Sequence, residues 1–163
     1  MPAEKRFVVD SMLGKVAKWL RALGFDTRYQ HLEDLRQLDK YARQGYHVVT
    51  RNTRWVKHPA TVWITADAPR EQLREIVAAL RILPAEVRPL GRCLRCNELL
   101  QTVDRALVVG RVPDYIYENC TVFHHCPQCH KVYWVGSHPS RMFDWLHATL
   151  GWSFSPNSQG GSP

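Results

Sequence analysis

An α/β domain with a mostly parallel sheet flanked by helices, followed by a small four-cysteine metal-binding domain, is the fold class that this 163-residue sequence predicts. Three observations lead there. Short apolar runs alternate with amphipathic helical patterns over residues 1–90. Strand–helix repetition of this kind folds into parallel sheets with helices on their faces. Two C-x-x-C pairs then fall within residues 91–150. In a chain that shows no secretion signal, such pairs read as metal ligands rather than disulfides.

The elements follow in order. Phe7-Val8-Val9 is an apolar run that stops at Asp10. Met12, Leu13, Val16, Ala17, Trp19, Leu20 and Leu23 then share one arc at helical spacing, with Lys15, Lys18 and Arg21 on the opposite arc. Ser11 is the candidate N-cap, and Gly24 is placed to end the helix in a left-handed conformation. Residues 25–29 predict a second strand. Residues 33–44 predict a second helix with Leu35, Leu38, Tyr41 and Ala42 inward, closed by Gly45. Glu33 and Asp34 fall in its first turn, where acids suit the positive helix end. Residues 46–50 and 61–65 predict two more strands, with room between them for at most a short helix. Pro69 falls in the first turn of a last helix that would bury Leu73, Ile76, Val77, Leu80 and Leu83.

This order has a consequence for function. Sites in open α/β sheets form outside the carboxyl ends of the strands. Strand one delivers Asp10 to that rim, strand three delivers Thr50, Arg51 and Asn52, and strand four delivers Thr65 and Asp67. The start of the second helix brings Glu33 and Asp34. A carboxylate at a strand end sits at the core's edge, where burial without a partner is costly. Asp10 therefore either shares a divalent cation with a second acid, or caps the first helix, or accepts a bond from Lys15. The VVTRNTR stretch at 48–54 offers cations and an amide but no acid. No glycine-rich phosphate loop is present, because DSMLGK lacks the required spacing. His31, His47 and His58 show no ligand spacing and read as surface or structural residues.

In the second half, Cys93-x-x-Cys96 and Cys126-x-x-Cys129 stand 29 residues apart, a separation that requires structure in between. Each knuckle puts two thiolates on one tight turn, and two turns complete a tetrahedron for zinc. Four thiolates close the shell, so the predicted zinc is structural. His124, His125 and His130 are the competing ligands, and Cys120 reads as a small buried residue. Tyr133, Trp134, His138 and Arg141 are a mixture suited either to base stacking or to packing. Residues 151–163 have the composition of a disordered tail.

The net charge of +7 is uneven. Residues 1–90 carry 16 Lys/Arg against 10 Asp/Glu, and residues 91–163 carry 6 against 5. A basic half is compatible with a polyanion such as nucleic acid, or with a well-solvated surface. No apolar run is long enough to span a bilayer, and the N-terminal residues lack the apolar stretch of a signal peptide, so a cytoplasmic location is expected.

FVVDSMLGKVAKWLRALGFDT, VVTRN, RCLRCN, RVPDYIYENC and CPQCHKVYWVGSHPSRM together resemble the PIN-like ribonuclease family found at the C-terminus of the mut-seven exonuclease. The likeness covers about residues 6–142. It implies a PIN-like α/β fold over 1–90, a zinc ribbon with a short C-terminal helix over 91–150, and cleavage of RNA at clustered acids holding Mg²⁺ or Mn²⁺. Asp10 matches the family's first acid, and Asp34 approximately the second. The third acid ends a T-R-D motif that here reads Thr50-Arg51-Asn52, so an amide stands at an expected metal position. Glu33, Asp39 and Asp67 are the acids available to compensate, and Lys15, Lys18, Arg21 and Arg51 are the candidate phosphate contacts. Two readings follow: a metal-dependent ribonuclease weakened by Asn52, or a PIN-like module that binds RNA or a ribonucleoprotein after losing the chemistry. A purely structural zinc protein would explain the cysteines but not Asp10.

Overall fold

Phe7, Val8 and Val9 are fully buried, as a strand covered on both faces requires. They form the centre of β1 (Arg6–Asp10) in a parallel sheet of order β2-β1-β3-β4. Its neighbours are β2 (Asp26–Gln30), β3 (Tyr46–Thr50) and β4 (Thr61–Trp63). The structure is a computed structural model and describes residues 4–134 and 137–153. The chain divides into two compact units, Met1–Asn97 and Glu98–Pro163.

In the first unit, α1 (Gly14–Ala22) and α3 (Pro69–Leu80) pack together. α2 (Leu35–Arg43) contributes Leu38 and Tyr41 to a cluster with Val8, Tyr46, Val48 and Trp55. Trp55 explains an unusual connection. Parallel strands normally need a long crossover, usually a helix. Here β3 and β4 are joined through only a 3₁₀ turn, Thr53–Trp55, and the buried indole fills the space that a helix would cover.

Several expectations change at element ends. The first helical turn, Ser11–Leu13, is 3₁₀, and its cap is Asp10 rather than Ser11. Met12 consequently turns out to solvent, 68% exposed, instead of joining the core. Leu35 opens α2 and is exposed, with Asp34 as N-cap just before it. The fourth strand ends at Trp63, two residues early. After α3, Arg81 adopts a left-handed conformation and reverses the chain, so Ile82 is buried and Leu83 exposed.

The second unit is an antiparallel sheet of order β5-β6-β7, formed by Gln101–Val103, Phe123–His125 and Val132–Trp134. The insert between the knuckles carries its own structure: β5, a 3₁₀ turn, and α4 (Asp114–Asn119). Val108, Val112, Ile116, Cys120, Phe123 and Val132 form its core. Cys120 is thus a buried packing residue, and burial raises its thiol pKa. α5 spans Ser137–Leu150. Residues 154–163, most of the expected tail, and the His138 side chain lie outside the described residues. Among the described residues no helix is long and apolar enough to cross a membrane.

Gly24 is required twice over. Its φ is +92°, and a Cβ there would sit 2.5 Å from the Arg88 carbonyl oxygen. Gly45 has a similar φ of +82° but open space around it. Gly45→Ala is therefore expected to cost about 1 kcal/mol for backbone conformation alone. Gly24→Ala is expected to cost about 3 kcal/mol or more, strain and clash together. Urea unfolding of the two variants checks the difference; equal losses would contradict the close approach of residues 24 and 88.

Candidate functional site

The candidate site is built where β1, β3 and the loop after β2 meet. Asp10 ends β1 and is 3% exposed. A carboxylate buried this deeply must be matched by donors. Thr50 Oγ1, at the end of β3, donates to Asp10 Oδ2 at 2.8 Å. The Ser11 and Leu32 amides donate to Oδ1 at 2.8 and 3.4 Å. The Asn52 amide in turn donates to Thr50 Oγ1 at 3.0 Å, which leaves the Thr50 hydrogen directed at the carboxylate. Helix capping by Asp10 is seen, and its donors are Ser11, Leu32 and Thr50 rather than Lys15.

Asn52 faces a local task. Its Oδ1 accepts from the Arg54 amide at 3.0 Å and caps the 3₁₀ turn that carries Trp55. Asp34 Oδ1 accepts from the Gln37 amide at 3.0 Å and caps α2, while the Glu33 amide donates to Gln37 Oε1. Asp39 pairs with His58 at 2.9 Å. Asp67, nearly fully exposed, pairs with Arg51 at 2.6 Å, so one candidate acid and one candidate phosphate contact engage each other. Among the described residues, no three of Asp10, Glu33, Asp34, Asp39 and Asp67 bring carboxylate oxygens within 4.8 Å of one another. The donor set in this arrangement does not fit a preformed three-carboxylate Mg²⁺ or Mn²⁺ site.

The basic residues separate into two kinds. Lys15 and Lys18 are exposed, have no ion-pair or hydrogen-bond partner among the described residues, and line a groove of about 540 Å³ with Tyr29, Met12 and Gln72. Arg21 also borders that groove, but its guanidinium donates to the carbonyls of Thr27, Leu94 and Arg95. It works as a staple between backbone segments. Two rim residues had little signal in the sequence. Thr50 was visible only by position. His31, read as a surface or structural residue, places Nδ1 3.9 Å from Asp10 Oδ1 and 3.2 Å from Ser11 Oγ. The clue is register: Gln30 pairs with Asp10, so the next residue must reach the rim.

The cysteines do converge. Single sulfur atoms of Cys93, Cys96, Cys126 and Cys129 all lie within 4.8 Å of one another. Each knuckle directs the amide of its second cysteine at the sulfur of its first, at 3.4 Å for Cys96 and 3.5 Å for Cys129. Asn97 and His130, directly after the knuckles, both take left-handed backbone, with φ of 66° and 63°. Their amides donate to the Cys93 and Cys126 carbonyls, each at 2.9 Å. Asn and His tolerate this conformation better than most residues. Amides aimed at sulfur suit thiolates, and the set fits a tetrahedral ion such as zinc. His124, His125 and His130 are not part of the cluster.

A four-stranded parallel sheet with a buried aspartate at its carboxyl rim, in a chain that also gathers four cysteines, defines an α/β protein with a four-cysteine cluster compatible with a zinc ribbon. The family model of the Mut7-C RNAse domain matches residues 5–146, and the chain belongs to that family. The family points to a ribonuclease-like function, with RNA as substrate or partner. No curated protein and no solved structure matches the chain.

The Asp10–Thr50 bond can be checked by stability. Thr50→Val removes the donor at nearly constant volume and is expected to cost about 1.5–3 kcal/mol, the range for hydrogen bonds to charged groups. Thr50→Ser keeps the hydroxyl and should lose much less. Equal unfolding midpoints for the two variants would show that the bond does not hold Asp10.

Proposed function

We propose that this chain is an RNA-binding member of a ribonuclease family in which phosphodiester cleavage is slow or absent, acting in the cytoplasm. The observation that carries this reading is Asn52: an amide stands where the resemblance expects an acid, and its oxygen is spent on the Arg54 amide. The buried Asp10 carboxylate, matched by three protein donors, supports it. Lys15 and Lys18 supply phosphate contacts along the groove, with Tyr29 beside them as a stacking surface. Arg51 joins them when a phosphate displaces Asp67, because an exposed ion pair is worth at most about 1 kcal/mol. Arg21 is left out of this set. The four cysteines hold a structural zinc in a ribbon running from residue 91.

Family membership favours a second reading, metal-dependent cleavage. In it Asp10 and Asp34 would hold Mg²⁺ or Mn²⁺, supplemented by Glu33, Asp39 or Asp67.

Asn52→Asp separates the two. Asp and Asn are equally good N-caps, so the substitution adds a charge without removing the cap. Wild type, Asp10→Asn and Asn52→Asp are to be compared on labelled RNA with Mg²⁺ or Mn²⁺. The expected result is RNA binding with slow or undetectable cutting by wild type, and cutting at least about tenfold above the wild-type rate or the detection limit in Asn52→Asp. Efficient cutting by wild type that Asp10→Asn abolishes would establish the second reading instead. RNA binding that is unchanged when Lys15 and Lys18 are both replaced by Glu would remove the groove from the account.

A further inference from the structure

The stretch from Arg88 to Asn97 is bonded along its length to the end of α1 and the start of β2. The Arg88 and Leu90 amides donate to the Leu23 and Ala22 carbonyls at 2.8 and 3.0 Å, satisfying oxygens that a helix end leaves open. Arg92 donates to the carbonyls of Gly24 at 3.2 Å and Asn97 at 2.9 Å. Two side chains then grip the first knuckle itself. Arg21 Nη1 reaches the carbonyls of Leu94 at 2.9 Å and Arg95 at 3.2 Å, the two residues between Cys93 and Cys96. Its Nε donates to the Thr27 carbonyl at 2.9 Å. Asn97 accepts from the Thr27 amide at 2.9 Å and donates to Asp26 at 2.7 Å.

β2 is an edge strand, so the Thr27 amide depends on Asn97 for its partner. Asp26 strengthens the same link. Burial would raise its pKa, but the bonds from Asn97 and Arg6 and the charges of Arg92 and Arg6 outweigh it and hold the carboxyl below its ordinary value of 3.8. A depressed carboxyl stabilises the fold above that value, and the contribution is lost as pH falls through the lower folded one.

We propose that Arg21 and Asn97 are positioning residues for the metal at Cys93 and Cys96, and that through them metal occupancy governs the order of the β2 edge. The proposal rests on the reading of the four cysteines as a zinc site. The knuckle presents its two sulfurs together in a turn that aims the Cys96 amide at the Cys93 sulfur. Arg21 fixes that shape from its two inner carbonyls, and Asn97 from its left-handed exit. Partners that orient ligands in this way are typically worth 10–100-fold in metal affinity. The coupling runs both ways, since whatever tightens the metal on the folded knuckle must let the metal tighten the knuckle's contacts.

The test begins with metal analysis of the full chain, where one zinc per chain is expected. Arg21→Met, Arg21→Lys and Asn97→Gly are then titrated with a chromogenic zinc chelator, with Lys40→Met as control. Glycine at 97 tolerates the left-handed backbone while removing the side chain that bonds Thr27 and Asp26. Arg21→Met and Asn97→Gly are expected to lose zinc affinity about tenfold, and Arg21→Lys less, while Lys40→Met matches wild type. In wild type, zinc withdrawal should speed amide hydrogen exchange at Thr27 and Arg28 about tenfold and leave Val9 and Val49, at the sheet centre, unchanged. The wild-type exchange measurement stands even if a variant fails to fold. Folded Arg21→Met with wild-type zinc affinity would overturn the proposal. So would exchange that stays unchanged at Thr27 or that rises across the whole sheet. A chain purified without zinc would refute the zinc-site reading itself, and the proposal with it.

Discussion

The carboxylate of Asp10 ties together three segments that are distant in sequence: the end of β1, the end of β3 and the turn after β2. Its burial is what makes it organising. An exposed aspartate would be satisfied by water and would impose nothing on its neighbours. At 3% exposure it must be met by protein donors, and each donor fixes a piece of the rim. Thr50 is held in turn by the Asn52 amide, which sets where the Thr53–Trp55 turn begins. That turn delivers Trp55 to the core and lets β3 and β4 pair with no helix between them.

The same economy shapes the chemistry of the rim. Mg²⁺-dependent hydrolysis needs several carboxylates free to turn toward one ion. Here each candidate acid except Glu33 has a protein partner: Asp10 holds strands, Asp34 caps a helix, Asp39 meets His58 and Asp67 meets Arg51. Asn52 keeps the turn with a neutral side chain, its oxygen accepting from the Arg54 amide.

Much of this was legible in the residues. The strand ending at Asp10, the left-handed Gly24, Pro69 opening α3 and the paired cysteines each reflect local chemistry that operates before the chain folds. What was not legible depends on partners far away. Arg21 sits on the polar arc of α1 beside Lys15 and Lys18, and helical spacing treats the three alike. The start of β2 and the return of residues 88–97 to α1 give Arg21 the carbonyls it binds. Met12 and Leu83 are exposed because a 3₁₀ start and a left-handed Arg81 shift the periodicity at helix ends, where apolar spacing carries least information. His31 became a rim residue through strand register, which a single sequence does not display.

With its carboxylates engaged by protein donors, the Asp10 rim of the wild-type chain is expected to have little affinity for divalent cations of the kind hydrolysis would need. A Mn²⁺ titration followed by nuclear magnetic resonance tests it directly, because a bound paramagnetic ion broadens the amide signals around it. The amides of Ser11, Leu32, Thr50 and Asn52 are expected to stay sharp, apart from the general effect of free Mn²⁺, up to millimolar concentrations. Selective broadening of those four amides at micromolar Mn²⁺ would contradict it and restore the rim as a preformed metal site.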